Sequence, residues 1–437
     1  MRFLNTAAIL AAALALVSSS TPLMAKAPDA LKQETLQKLA KVRVVVQYRY
    51  VTDGKALNRS LDDVIKIFRE AKADFIFQGW LTQHPLPEKC SDLPKNIIKK
   101  CEMAGYSAEN LRNAVATIKK ELPDVIFSGG TQFEFFYPGE IGGRDEKEQR
   151  DKAWGMTFNP AKWGLGRSRR DAQCYWAKRW GMAEKGPSCP GEEDLKSSMR
   201  YYFPDVTDPG FQEAFLNRIY RQIDAGVDAI WIDMLYVQPS LLEELTKDKK
   251  HPAVRESYDA IWKIVDKIHE YGYTKGKYIY VITWVADRKH GVVEVIPKTN
   301  VDIAMISPQS NEIKDRVTGK IGQFDEKLWD DVTKQIREKL GLPIFARIDY
   351  GGGGRSPLGV FSQELTGDEA REFLITADNF FSKQEIQFIY PLHGGDMGLK
   401  EKVKILSYDT YNWYDSWAPE FNTFETMKEL AIHKSQK

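Results

Sequence analysis

From residue 42 onward, short apolar runs rich in β-branched residues alternate with segments whose apolar positions recur at three-and-four spacing. The runs are 42–50, 74–80, 124–135, 227–235, 277–284, 301–307, 343–350 and 386–392, and they predict eight strands. Between them, Leu61, Val64, Ile65 and Phe68 share one helical face, as do Leu111, Val115, Ile118 and Leu122, and then Phe211, Phe215, Ile219 and Ile223. Asp208-Pro209 suits an N-cap followed by the first helical position, and Thr366 with Glu369 has capping-box spacing. Only the interval 286–300 is too short for a full helix. Eight nearly continuous apolar strands alternating with helices predict a parallel sheet covered on both faces, and closing it yields an α/β (β/α)8 TIM barrel. An open doubly wound sheet is the alternative, and no G-x-G-x-x-G follows any strand to favour it. A barrel needs about 250 residues. The surplus here lies mostly in an insertion at about 139–200, after the third strand, and no Pro/Ser-rich linker divides the predicted single domain 28–437.

Composition narrows the class. Of 437 residues 43% are hydrophobic and 28% charged, with a formal net charge of +1, so the chain is globular and has no overall field for a nucleic acid or an anionic membrane. Arg2, the apolar run 6–17 and the small and polar residues Ser18 to Pro22 follow the order of a secretory signal, with cleavage expected after Ala25. No later run reaches the roughly 18 apolar residues of a membrane span. A secreted or periplasmic protein is expected. The cysteines agree: Cys90 with Cys101 and Cys174 with Cys189 each close a short polar segment, read as disulfides ahead of free thiols or a zinc site. Aromatic residues reach 12%, including 11 Trp. Trp154, Trp163, Trp176 and Trp180 crowd the insertion beside Tyr175, Arg167, Arg169 and Arg170, either as a cleft wall for sugar rings or as a small core of the long loop.

Barrel chemistry is built at the C-terminal ends of the strands. The fourth run ends Ala229-Ile230-Trp231-Ile232-Asp233-Met234, which places Asp233 at the mouth and leaves Trp231 as a candidate core residue. The stretch from Gly226 through Val227, Asp228 and Ala229 to Met234 resembles the strand-four motif of the retaining α-glucosidase/α-xylosidase family and its α-galactosidase relatives. It is also similar to the strand-four segment of endo-α-1,4-polygalactosaminidase-like barrels, in which a run like Asp208-Pro209-Gly210-Phe211-Gln212 precedes the helix. The likeness covers residues 201–236 and implies a sugar-cleaving TIM barrel with Asp233 as nucleophile. The chain departs from the α-glucosidase pattern at strand six, which ends Ile306-Ser307-Pro308-Gln309 with Glu312 as its first carboxylate. It departs from chitinase-like barrels at Leu235. It matches the clan with glutamates on strands four and seven only in position, through Asp233 and Asp349.

Glycoside cleavage needs two carboxyl groups, one ionised and one protonated. Asp233 is the first candidate, and Asp349, in phase with Arg347, ranks above Glu312, Asp287 and Glu134 as its partner. A positive Arg347 would favour the charged form of a neighbouring carboxylate, so Asp349 as base or nucleophile with Asp233 as acid is an equal assignment. Gln78, Trp80, Gln132, Glu134, Tyr236, Trp284, Arg347, Tyr390 and His393, all near strand ends, are the candidate sugar-binding groups. The glycines 351–354 with Arg355, and Gly394, Gly395 and Gly398, occupy positions where barrels hold phosphate, and support a phosphodiesterase-like alternative. No H-x-H, H-E-x-x-H or G-x-S-x-G occurs, so no metal and no cofactor is expected, although loop carboxylates leave calcium open. The sequence therefore predicts an exported glycosidase, an O-glycosyl hydrolase acting on a carbohydrate substrate. A glycan-binding barrel without catalysis is the main rival.

Overall fold

The structure, a computed structural model, describes residues 28–82, 86–179, 189–289, 292–349, 356–396 and 413–436. Each of the eight expected runs holds one barrel strand, the last of which continues past the expected end at 392: β1 (Val45–Tyr48), β2 (Phe75–Phe77), β3 (Ile126–Gln132), β4 (Ala229–Asp233), β5 (Tyr280–Trp284), β8 (Ile303–Ile306), β9 (Ile344–Ala346) and β10 (Gln387–Asp396). Each pairs in parallel with the next, and β10 pairs back onto β1, so the sheet closes. The short interval after β5 folds as a hairpin, β6 (Ala286–Lys289) with β7 (Val292–Val295), because so few residues cannot form a covering helix. A last strand, β11 (Trp413–Asp415), lies antiparallel on β10. Outside the periodic pattern, the helix Pro28–Ala40 meets the N-terminal end of the barrel, where the Tyr280 hydroxyl donates to the Thr35 carbonyl.

The interior parity is set by side chains that meet across the lumen. Phe75 and Phe345, on strands that are not neighbours, touch at 5.4 Å between ring centroids, and Phe77 meets Trp231 at 5.6 Å. The register carries that parity around the ring: Gln132 lies opposite Asp233, Trp231 opposite Ile282, Trp284 opposite Met305, and Met305 opposite Phe345. Alternation along a strand then turns Gln132, Asp233, Trp284, Arg347 and Asp349 inward at one end. Trp231 belongs to the core, 1% exposed.

The helices begin where their caps predict. Asp208 Oδ1 accepts from the Phe211 amide at 3.0 Å, and Thr366 and Glu369 form a complete capping box. The helix Pro209–Asp224 also buries Gln222 against the glycines of β3. Gln222 accepts from the Gly130 amide at 3.0 Å and donates to its carbonyl at 3.1 Å. A Cβ on Gly129 would stand 2.2 Å from Gln222 Oε1, so the glycine is what lets this amide reach the strand.

The insertion builds a small core. Trp154 gives its indole N–H to Glu192 and packs edge-on against Tyr202, Trp163 gives its own to Glu256, and Trp176 lies between Phe158 and Phe203. Trp154 and Trp176 therefore pack the loop and Trp163 ties it to the helix Pro252–Thr274, while Trp180 lies outside the described residues. Both expected cysteine pairs are bonded, with Cα atoms 5.6 Å apart at Cys90–Cys101 and 6.1 Å apart at Cys174–Cys189. The signal segment falls outside the described residues. Among those described, no helix is long and apolar enough to cross a membrane.

Replacing Gln222 by leucine leaves the buried Gly130 N–H of β3 without its acceptor, while the Gly130 carbonyl keeps the Thr82 amide at 2.9 Å. We expect Gln222→Leu to cost about 2–3 kcal/mol in denaturant unfolding, and an unchanged midpoint would show that the strand does not depend on this clasp.

Candidate active site

Three carboxyl groups gather at the C-terminal mouth of the barrel. Asp233 ends β4, and Met234 after it takes a left-handed φ of 56°, which turns the chain and brings the Met234 amide to the Asp233 carboxylate. The indole N–H of Trp284, from the end of β5, donates to Asp233 Oδ1 at 2.7 Å. Burial pushes Asp233 up to about 7, and the charge of Asp349 adds to the rise. The Trp284 hydrogen bond and the charge of Arg347 oppose it. Glu134, just beyond β3, is buried and lies well above the usual carboxylate range, first through desolvation and then through the charge of Asp233. Asp349 has 34% of its side chain exposed, and its amide donates to Ser307 Oγ at 3.3 Å.

Arg347 forms the floor. Its guanidinium is wholly buried and lies between the rings of Phe77 and Trp231, at 5.3 and 4.9 Å from their centroids. Nε donates to Gln47 Oε1 at 3.3 Å and Nη2 to Gln78 Oε1 at 3.2 Å, while Nη1 stands 3.9 Å from Asp349 Oδ1. Gln78 reaches this position because it turns through a left-handed φ of 54° just after β2.

A second charged cluster joins the first and last barrel strands. His393 Nδ1 bonds Asp415 Oδ2 at 3.0 Å, its Nε2 stands 3.6 Å from Asp53 Oδ2, and Arg59 pairs with Asp415 at 2.9 Å and donates to the Tyr48 hydroxyl at 3.0 Å. Burial disfavours the charged imidazole, but Asp415 and Asp53 outweigh it and raise His393 to about 8. Gly394 beside it is the point where β10 touches Arg49: a Cβ there would lie 2.3 Å from that of Arg49, at a φ of 96°.

The structure redistributes the expected site residues. Asp233, Asp349, Glu134, Trp284, Arg347 and Gln78 converge at the mouth. Glu312 does not join them as an acid: it closes a capping box with the Gln309 amide at 2.7 Å and accepts from the Trp329 indole at 2.7 Å and the Asp325 amide at 3.3 Å, so its carboxylate shapes a loop. Trp80 is buried, stacked on Tyr106 at 5.1 Å and bonded to Thr82, and offers no face to a sugar. Tyr390 has the outward parity, and its hydroxyl donates to Asp378 at 2.8 Å beneath the helices. Tyr236 is buried with its hydroxyl 2.5 Å from Thr299 Oγ1. His393 is held inside the second cluster, with no exposure. The Asp287 side chain, the glycines 351–354 with Arg355, and Gly398 lie outside the described residues. Sequence reading missed Gln47, Asp53, Arg59 and Asp415. Gln47 carried a signal, as the uncharged polar residue that interrupts the apolar stretch Val44 to Tyr48. Among the described residues no group of three or more His, Cys, Asp and Glu has the arrangement of a metal site.

No protein-family model and no curated protein matches the chain. Solved structures of similar shape include the glycoside hydrolase domain of PelA from Pseudomonas aeruginosa, 12% identical over 73% of this chain and 94% of that one, with a TM-score of 0.31. Amy13B from Eubacterium rectale is 9% identical over 90% and 79%, with a TM-score of 0.45. An α-galactosidase from Thermus thermophilus is 11% identical over 79% and 58%, with a TM-score of 0.35. At such identities the likeness is one of fold.

A carboxyl group raised by folding contributes stability that is complete below its unfolded value near 3.8 and lost as pH rises through about 7. Asp233→Asn keeps an acceptor for Trp284 and removes the titration. It should therefore be more stable than the wild type at pH 8 by about 1–2 kcal/mol, after discounting for partial exposure, with the gap closing by pH 4. Thermal unfolding across that range checks it, and a variant less stable than the wild type at pH 8 would contradict the burial argument.

Proposed function

We propose that the chain is an exported glycoside hydrolase that cleaves a poly- or oligosaccharide through Asp233 and Asp349. The observation that carries this reading is the contrast between two neighbouring acids: Asp233 is held up to about 7 by burial, and Asp349, its side chain 34% exposed, stands 3.9 Å from Arg347. Two acids in different surroundings are what glycoside cleavage requires. In this assignment Asp233, protonated at mildly acid pH, gives its proton to the glycosidic oxygen as the C–O bond breaks and the electron pair passes to that oxygen. Asp349 supplies the negative charge opposite the anomeric carbon, attacking it or activating a water there. The resemblance of the strand-four motif implies the reverse for Asp233, as nucleophile; its upward displacement favours the acid role. Glu134, kept neutral behind Asp233, fits hydrogen bonding to a sugar hydroxyl, and the half-buried Trp284 leaves part of its indole toward the cleft. The reaction needs no cofactor. Export is supported by the two disulfides, which persist in oxidising compartments.

Hydrolysis of a glycan panel tests the reading. Asp233→Asn and Asp349→Asn should each lower kcat/KM by about 10²–10⁴-fold on whichever glycan the wild type cleaves. Wild-type kcat/KM should fall as pH rises through about 7, because the acid then loses its proton. A rate that instead rises through pH 7 would assign Asp233 the base or nucleophile role. Glycan binding with no cleavage by any form would establish a binding protein in place of an enzyme.

A further inference from the structure

We propose that Trp284 is a positioning residue that decides which oxygen of Asp233 carries the proton. This rests on the glycosidase reading for its catalytic meaning, but its physical content does not. The indole nitrogen is a donor only, so an oxygen receiving its hydrogen bond must present a lone pair. At 2.7 Å the bond is short and well formed, and it occupies Asp233 Oδ1. The C=O oxygen of a carboxyl is a better acceptor than its O–H oxygen, so the bond to Oδ1 favours the proton on Oδ2. The groups facing this carboxyl are Glu134 from beyond β3, Asp349 and Arg347 from β9 and its end, the Met234 amide next along the chain, and Trp284 itself from β5. Of these, Trp284 is the side chain that hydrogen-bonds to Asp233, while Arg347 Nη1 stands 3.9 Å from Asp349 Oδ1. Trp284 is held for this task by register, opposite Met305 and on the inward face.

The consequence appears as the proton leaves. Oδ2 gives it to the leaving-group oxygen, and the carboxylate left behind carries a new negative charge. That charge meets two N–H groups already in place, the Trp284 indole and the Met234 amide. The donors are oriented before reaction, so they strengthen toward the ionised form without reorganisation. Trp284 thus both aims the acid and makes it a stronger one.

Protein labelled with ¹⁵N at the tryptophan indoles tests this without reference to turnover. One indole N–H resonance should shift between pH 5 and pH 9 with a midpoint near 7, be missing in Trp284→Phe, and stop shifting in Asp233→Asn. In Trp284→Phe the falling limb of the pH–rate profile should move up by about one pH unit, and kcat should drop about tenfold with KM little changed. An indole that does not titrate, or that titrates equally in Asp233→Asn, overturns the proposal. If Trp284→Phe fails to fold, the comparison of wild type with Asp233→Asn still decides it. A titrating indole in a protein that cleaves no glycan removes the glycosidase reading alone, and cleavage with a silent indole removes this inference alone.

Discussion

A guanidinium closed off from water on the axis of the barrel is the constraint around which the mouth is organised. An uncompensated charge there would cost several kcal/mol, so every neighbour of Arg347 has to answer it. Two aromatic faces, Phe77 and Trp231, sandwich the group, and two glutamine carbonyl oxygens and one carboxylate take its N–H groups or its charge. The left-handed turn at Gln78 belongs to the same arrangement, since an ordinary strand residue at that position would point toward the helices and not at Arg347. A non-glycine residue with positive φ carries strain, and the hydrogen bond to a buried cation is what offsets it.

The acids above this floor divide according to their distance from water and from that charge. Asp349 is next to Arg347 and partly exposed. Asp233 feels Asp349, while Glu134 is buried and feels Asp233 in turn. The charge of Asp233 makes that of Glu134 harder to form, so these two titrate as a linked pair. Such a pair is unfavourable for stability and useful for proton transfer, a conflict characteristic of functional sites.

The cluster of His393, Asp53, Asp415, Arg59 and Tyr48 does a different job. Two carboxylates hold an imidazole and a guanidinium where β10, β11 and the loop after β1 come together. It fastens the segment around Trp413 to the barrel at the seam where the sheet closes. Arg49, over the rings of Tyr50 and Trp413, continues the same contact. Reading His393 as a sugar ligand mistook a fastening for a binding group, because its partners Asp53 and Asp415 sit 340 and 22 positions away along the chain.

Sequence alone determined the barrel, the place of every barrel strand, the caps at Asp208 and Thr366, the cysteine pairing, the position of Asp233 at a strand end and the common phase of Arg347 and Asp349. All of these follow from local periodicity or from spacing within a short stretch, where the physics acts between near neighbours. Tertiary structure alone decided which of many polar strand-end residues share a site. Tyr390 and Trp80 look like sugar-binding groups in one dimension, but strand parity and a stacked Tyr106 turn them into core. Glu312 looks like an acid until Trp329 and two amides take its oxygens. Sidedness, burial and the identity of the hydrogen-bond partner depend on residues brought from other strands, and no local pattern encodes them.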